Sequence, residues 1–98
     1  MKKDTEKTKV IFKKFRKEGD IIAFFPEMVA SLTPCDCLTY MHVGQHGAGS
    51  TMLTNVVPAK PSEYAYLKAE LEEMGYNLDI KKKFTRKDFE TRQKQLKN

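Results

Sequence analysis

Five consecutive apolar residues, Ile21 to Phe25, constrain the fold of this chain more than any other feature. Gly19 and Asp20 supply turn chemistry before this run, and Pro26 ends it because proline cannot donate a hydrogen bond to a neighbouring strand. Apolar residues at every position are typical of a central strand that is buried on both faces. The sequence therefore predicts a β-sheet with an interior strand at residues 21–25.

Further strands are predicted before and after this one. The apolar run that precedes Gly19 would pair with residues 21–25 as an antiparallel hairpin, because the two runs flank a glycine-containing turn. From Tyr76 to Ile80 apolar and polar residues alternate, which indicates a strand with one buried face. The other predicted strands cover residues 9–15, 37–43 and 51–57, and we expect residues 44–49 to form a glycine-rich loop.

One main helix is predicted from Pro61 to Met74. Proline suits the first helical position, where its missing N–H removes no hydrogen bond. Gly75 stands where a left-handed residue would end the helix. Its apolar side chains recur at helical spacing and form one stripe that would pack on the sheet: Tyr64, Leu67, Leu71 and Met74.

A second, shorter helix is predicted near the C-terminus. Thr85 to Asp88 has the residue types of a capped helix start. Beyond it the segment offers only Phe89 and Leu96 as apolar anchors, so we expect this helix to be loosely docked or frayed.

These elements predict a single α+β domain at residues 9–84. We expect a mostly antiparallel sheet of four or five strands with the main helix packed on one face. Residues 1–8 would be a flexible basic tail, and residues 85–98 a short C-terminal helix or tail. A length of 98 residues leaves no room for a second domain.

The net charge of +5 is concentrated at the two ends of the chain. Residues 81–98 carry eight basic and two acidic side chains, whereas residues 61–80 carry one basic and five acidic side chains. Such a distribution can steer an anionic partner, and it is equally typical of an ordinary solvated surface.

A soluble, cytoplasmic protein is expected. The charged N-terminus is not followed by an apolar segment of the signal-peptide kind, and the longest apolar run is far below the roughly 20 residues that cross a bilayer. Cys35 and Cys37 are too close in sequence for a standard disulfide framework, and we interpret them as free thiols of a reducing compartment.

The segment from Tyr40 to Thr51 is the best candidate site, since it holds both histidines and three of the five glycines. Glycines let backbone N–H groups approach a ligand closely, and imidazoles donate hydrogen bonds to phosphate or carboxylate. We therefore predict contact with an anionic ligand, a nucleotide or another phosphate. The predicted contact residues are Tyr40, His42, Gly44, Gln45, His46, Gly47, Gly49, Ser50 and Thr51, with Lys81, Lys82, Lys83 and Arg86 raising the positive potential.

The motif YMHVGQHG at residues 40–47 is similar to that of a family of small uncharacterised proteins from gut Bacteroidales and their mobile elements. That family has no established activity, so the resemblance implies a bacterial or phage cytoplasmic setting and no particular chemistry. Shorter elements of the same resemblance lie at residues 10–12, 19–27, 60–64 and 75–78.

Other interpretations of the candidate segment stay open at the level of sequence. It can be a wide hairpin loop whose glycines merely permit the turn. A metal site would have to be built from His42 and His46 with one further ligand at no standard spacing, so no metal or cofactor is expected. Cys37 or Ser50 could pair with a histidine, but no orienting carboxylate or nucleophile elbow accompanies them, and we expect no catalysis.

We therefore predict a non-catalytic binding module for an anionic small molecule. The first alternative is a protein–protein interaction module or inhibitor from a mobile element, which would bind a host protein along the flank of the sheet. The second is a nucleic-acid-binding accessory protein that uses the basic residues from Lys81 to Lys87 with Phe84 beside them. A homodimer also stays open, and no membrane partner is expected.

Overall fold

The computed structural model describes residues 7–41, 45–51 and 55–97. The elements are β1 (Thr8–Phe15), β2 (Ile21–Phe25), β3 (Asp36–Met41), β4 (Gln45–Ser50), β5 (Val56–Pro58), α1 (Pro61–Glu73), β6 (Leu78–Lys81) and α2 (Arg86–Lys97). The six strands form one sheet in the order β4-β3-β2-β1-β5, with β6 also paired to β1. The predicted α+β class is confirmed.

Strand β1 organises the sheet. On one side it pairs antiparallel with β2. Its other side is shared by two short strands: β5 lies antiparallel to Lys13–Phe15, and β6 lies parallel to Thr8–Ile11. Strand β1 begins at Thr8, one residue before the strand predicted at residues 9–15. The parallel strand β6 brings the residues that follow α1 back to the start of β1.

Both faces of the sheet are buried, as the apolar run in β2 predicted. All five residues of β2 are buried. On one face Val10, Phe12 and Phe25 pack with Leu67 and Leu71 of α1. On the opposite face the buried residues are Ile11, Ile22, Phe24 and Cys37, with Phe15, Met41 and Phe84 packed around them.

Helix α1 forms where its periodicity and its terminal residues predicted it. Glu63 accepts a hydrogen bond from the Lys60 backbone N–H at 2.8 Å, which satisfies a donor at the helix start. Gly75 has φ of +107°, a conformation that other residues rarely adopt, and it reverses the chain after the helix. The N–H of Tyr76 then donates to the Leu71 carbonyl at 3.2 Å.

The expectation of a loop at residues 44–49 was wrong for the part that the structure describes. Gln45–Ser50 is strand β4, which pairs antiparallel with β3 from Met41↔Gln45 to Asp36↔Ser50. Backbone hydrogen bonds hold two antiparallel strands together, so glycines in β4 weaken the strand pairing but do not prevent it. Residues 52–54 of the strand expected at 51–57 lie outside the described ranges. Of its described residues, only Val56 and Val57 lie in a strand, at the start of β5.

Helix α2 is docked, contrary to the expectation of a loosely docked or frayed helix. That expectation considered only apolar anchors, whereas buried polar side chains hold the helix. Asp88 and Arg92 are 1% and 2% exposed. Arg92 donates from Nε to the Pro34 carbonyl at 2.8 Å and from Nη1 to the Pro26 carbonyl. These contacts fix α2 to the connection between β2 and β3. Neither described helix has the length and apolar composition of a membrane span.

Candidate functional site

A pocket of about 330 Å³ opens at the edge of the sheet where β5 and β6 meet beside β1. We call it the edge pocket. Its apolar lining comes from the centre of β1, the connection from β5 to α1, the first turn of α1 and the end of β6. These apolar residues are Phe12, Pro58, Ala59, Pro61, Tyr64 and Ile80, and the two remaining lining residues are Lys81 and Lys82.

The aromatic part of this lining is held by packing within the domain. Phe12 is 3% exposed, and its ring stacks on Tyr64 of α1 with centroids 4.3 Å apart and planes 12° apart. The Ala59 N–H donates to the Phe12 carbonyl at 3.1 Å and so ties the chain after β5 to β1. Because β5, β6 and α1 all meet at Phe12, the pocket exists only in the folded domain.

The rim of the edge pocket carries positive charge. Lys81 lies near one carboxylate, with its Nζ 3.6 Å from Oδ2 of Asp79, and both side chains are about half exposed. Lys82 is exposed, and among the described residues it has no carboxylate partner. Small-molecule sites are usually mostly apolar clefts with a few polar or charged groups.

The predicted lysine and histidine segments lie at opposite edges of the sheet. Strand β4 is one edge, and β6 pairs with β1 at the other. Four strand spacings separate them, or about 19 Å at about 4.8 Å each. Salt screens exposed charges beyond roughly 8 Å. Lys81 and Lys82 therefore raise the positive potential at the edge pocket, which they line, and contribute little to the potential at β4.

The described residues of the candidate segment 40–51 are largely engaged within the domain. Tyr40 is 1% exposed and its hydroxyl donates to the Glu70 carboxylate of α1. Thr51 donates from its N–H and from Oγ1 to the Cys35 carbonyl, both at 3.0 Å. His42 and Gly44 lie outside the described residues, and for Gln45 and His46 the structure describes the backbone alone. Their ligand contacts stay a prediction.

The two remaining glycines of that segment pack against one side chain of β3. Gly47 accepts from Thr39 Oγ1 through its carbonyl at 3.1 Å. Gly49 lies so close to Thr39 that a Cβ there would be 2.5 Å from Thr39 Cγ2 and 3.3 Å from Phe24 Cε2. Gly49 is therefore explained by packing within the sheet, whether or not β4 also meets a ligand.

Phe84, the aromatic residue beside the predicted basic patch, is partly buried against the sheet. The Phe84 ring meets Phe24 edge-on, with centroids 5.4 Å apart and planes 83° apart. Arg86 is paired with Glu90, with Nε 3.2 Å from Oε2. The structure thus leaves the lysines exposed but places their aromatic neighbour against the sheet.

A charged cluster between β1 and α2 was not predicted from the sequence. Lys9 Nζ lies 2.7 Å from Asp88 Oδ1, while the Thr85 N–H donates to Asp88 Oδ2 at 3.0 Å. Burial by itself raises the pKa of Asp88, but the hydrogen bonds from Lys9 and Thr85 outweigh it and hold the pKa below its ordinary value. The capping pattern from Thr85 to Asp88 was visible in the sequence. Nothing local indicated that Asp88 and Arg92 would be buried.

The two cysteines differ in exposure. Cys35 is exposed, whereas Cys37 is buried. Burial raises the pKa of the Cys37 thiol to about 11, although the Arg92 charge nearby lowers it in part. Cys37 is thus a protonated core residue at neutral pH. Within the described ranges no three His, Cys, Asp or Glu side chains are placed to hold a metal ion.

Comparisons with known proteins add no assignment. No protein-family model, curated protein or solved structure matches this chain. The resemblance to the Bacteroidales family therefore rests on the sequence motifs alone.

Proposed function

We propose that this chain is a non-catalytic binding module for a small anionic ligand, and that the edge pocket is its binding site. The observation that carries the proposal is the exposed Lys82 at the rim of a 330 Å³ cleft with an aromatic and aliphatic lining. The resemblance of residues 40–47 supports a bacterial or phage cytoplasmic setting for this activity.

The charges around the pocket favour an anion over a cation. Lys81 and Lys82 line it directly, and Lys60, at the start of α1, is exposed next to the lining residues Ala59 and Pro61. The nearby carboxylate of Glu63 is already neutralised, because Lys14 Nζ lies 2.5 Å from its Oε2. A ligand anion would therefore meet a net positive rim.

A thermal-shift screen tests the proposal. The unmodified protein is heated with inorganic phosphate, nucleoside phosphates and carboxylates, and we expect at least one class to raise the melting temperature. Lys82→Glu should abolish that shift, because it reverses the charge at the rim. Lys87→Glu makes the same change on an exposed lysine of α2 outside the pocket and should preserve the shift.

The same screen locates the site. If His42→Ala with His46→Ala abolishes the shift while Lys82→Glu preserves it, the ligand binds along residues 40–51 and not in the edge pocket. A screen in which no anion stabilises the protein would contradict the proposed function.

A protein-binding role is the second candidate, favoured by the composition of β4. Among the described strands β4 pairs with β3 alone, and Gln45–Ser50 contains no Lys, Arg, Asp or Glu. Natural sheet edges are usually protected by charge or proline. The opposite edge of this sheet has such protection in Pro58 and Lys81. A strand edge without charge or proline of its own is suited to accept a partner strand.

A charged residue on β4 tests this second role. Ala48 is exposed in the middle of the strand, so Ala48→Lys should leave the fold intact and abolish capture of a host protein. Ala48→Ser is the uncharged control. If capture survives Ala48→Lys and is lost in Lys82→Glu, the partner binds elsewhere than at β4.

A further inference from the structure

We propose that the edge pocket selects amphipathic anions: molecules with one compact apolar body, such as an aryl or short acyl group, and one carboxylate or phosphate head. This inference rests on the proposed function and narrows its ligand class. It excludes free phosphate and sugar-rich nucleotides as the preferred ligands.

The lining argues for an apolar body. Six of the eight lining residues are aromatic, aliphatic or proline, and the Tyr64 hydroxyl is the one side-chain polar group among those six. A ligand with several hydroxyls would give up hydrogen bonds to water that these side chains cannot replace. A ribose is disfavoured for this reason, whereas a phenyl ring or acyl chain has no hydrogen bonds to lose.

The size of the pocket limits that body. A volume of about 330 Å³ lies at the lower end of the roughly 300–1,000 Å³ that is usual for ligand pockets. It accommodates one ring or a short chain. Tyr64, stacked on the buried Phe12 ring, contributes an aromatic wall to this site, and such a wall suits a planar or extended body.

The position of the lysines argues for a single anionic head at the mouth. Lys81 and Lys82 follow Ile80 at the end of β6, so charge begins where the apolar lining ends. Lys81 forms an ion pair with Asp79, while Lys82 has no acidic partner among the residues that the structure describes. Lys82 is therefore the residue that we expect to bind the head group.

Titration with four probes, followed by amide chemical shifts and calorimetry, tests the inference. The probes are 3-phenylpropionate, its uncharged amide, inorganic phosphate and adenosine monophosphate. We expect 3-phenylpropionate to bind with shifts at Phe12, Ala59 and Ile80, and the amide to bind at least fivefold more weakly. Phosphate and the nucleotide should bind more weakly than 3-phenylpropionate.

Two variants and one control complete the test. Ala59→Leu fills the pocket and should abolish 3-phenylpropionate binding, and Lys82→Gln should weaken it to the level of the amide. Lys87→Gln, on α2, should change neither. Lys82→Gln alters an exposed side chain, so it remains informative if Ala59→Leu fails to fold.

The outcomes separate this inference from the proposed function. Binding of phosphate or the nucleotide at the pocket without 3-phenylpropionate would overturn the inference and leave the anion-binding function standing. Equal affinity for 3-phenylpropionate and its amide would contradict the claim that the pocket selects a ligand with an anionic head group. If no probe binds and the wider anion screen is also negative, both fail.

Discussion

Lys9 of β1 and Asp88 of α2 form an ion pair at 2.7 Å across 79 positions of sequence, and the Asp88 carboxylate is 1% exposed. Lys14 of the same strand forms the matching contact with Glu63 of α1 at 2.5 Å. Each carboxylate also accepts a hydrogen bond from the backbone N–H three residues before it, at the start of its helix. Strand β1 therefore holds the N-termini of both helices, one on each face of the sheet.

Removal of the Asp88 carboxylate should destabilise the protein. Asp88→Ala leaves Lys9 with the weaker contact to Glu27, whose Oε2 lies 3.8 Å from Lys9 Nζ, and removes the acceptor of the Thr85 N–H at the start of α2. Breaking a buried pair typically costs about 3–5 kcal/mol. Because Lys9 is 21% exposed, we expect a loss below that range, about 2–3 kcal/mol, in the free energy of unfolding measured by urea titration.

The exposed pair between Arg86 and Glu90 provides the control for that measurement. Glu90→Ala removes a carboxylate from the same helix and should change the free energy of unfolding by less than about 0.5 kcal/mol. Equal losses in Asp88→Ala and Glu90→Ala would show that burial of Asp88 contributes nothing to docking α2.

The ion pair between Lys9 and Asp88 should make stability depend on pH at both extremes. The lowered pKa of Asp88 gives stability that is present above its unfolded pKa and lost as pH falls through the lower native value. The pKa of Lys9 is raised, chiefly by its hydrogen bond to Asp88, so its stabilisation holds below its unfolded pKa and is lost as pH rises through the native value.

Urea midpoints measured from acid to alkaline pH check this dependence. The unmodified protein should lose stability as the solution becomes acidic below about pH 4, and Asp88→Asn should lose less over that range. Glu63 adds to the acid dependence, because the Lys14 hydrogen bond lowers its pKa in the same way. An Asp88→Asn profile parallel to that of the unmodified protein would contradict the assignment.

Two glycines of β4 should respond differently to a methyl group. Gly49→Ala places a Cβ 2.5 Å from Thr39 Cγ2, so the Thr39 side chain or the backbone beside it must move, and we expect a loss of about 1–3 kcal/mol in unfolding free energy. In Gly47→Ala the nearest atom is Thr39 Oγ1 at 3.7 Å, an ordinary contact, and the stability should change little. Thermal melts of both variants measure the difference, and similar melting temperatures would argue against this packing.

The two thiols should differ in their rate of modification. Cys35 is exposed and should react with a disulfide reagent within the mixing phase, whereas Cys37 should react only on the timescale of unfolding because it is buried and has a pKa of about 11. Cys35→Ser isolates the slow reaction. Rapid modification of Cys37 in that variant under native conditions would contradict its burial.

The elements that the sequence predicted well are those whose signals are local. The apolar run at 21–25 needs burial on both faces wherever it lies in the fold, and the stripe and end residues at 61–74 describe a helix without reference to its neighbours. The glycines at 44–49 misled the prediction because glycine permits a loop and also permits a strand that packs closely on a neighbour, as Gly49 does on Thr39.

By itself the sequence determined the α+β class, the interior strand and both helix starts, since periodicity and capping act over a few residues. Only the tertiary structure decided that β6 pairs with β1, that Asp88 and Arg92 are buried, and that Lys82 meets an apolar cleft at the edge opposite β4. Each of these depends on contacts between residues far apart in the chain, and no local pattern encodes which distant segments meet.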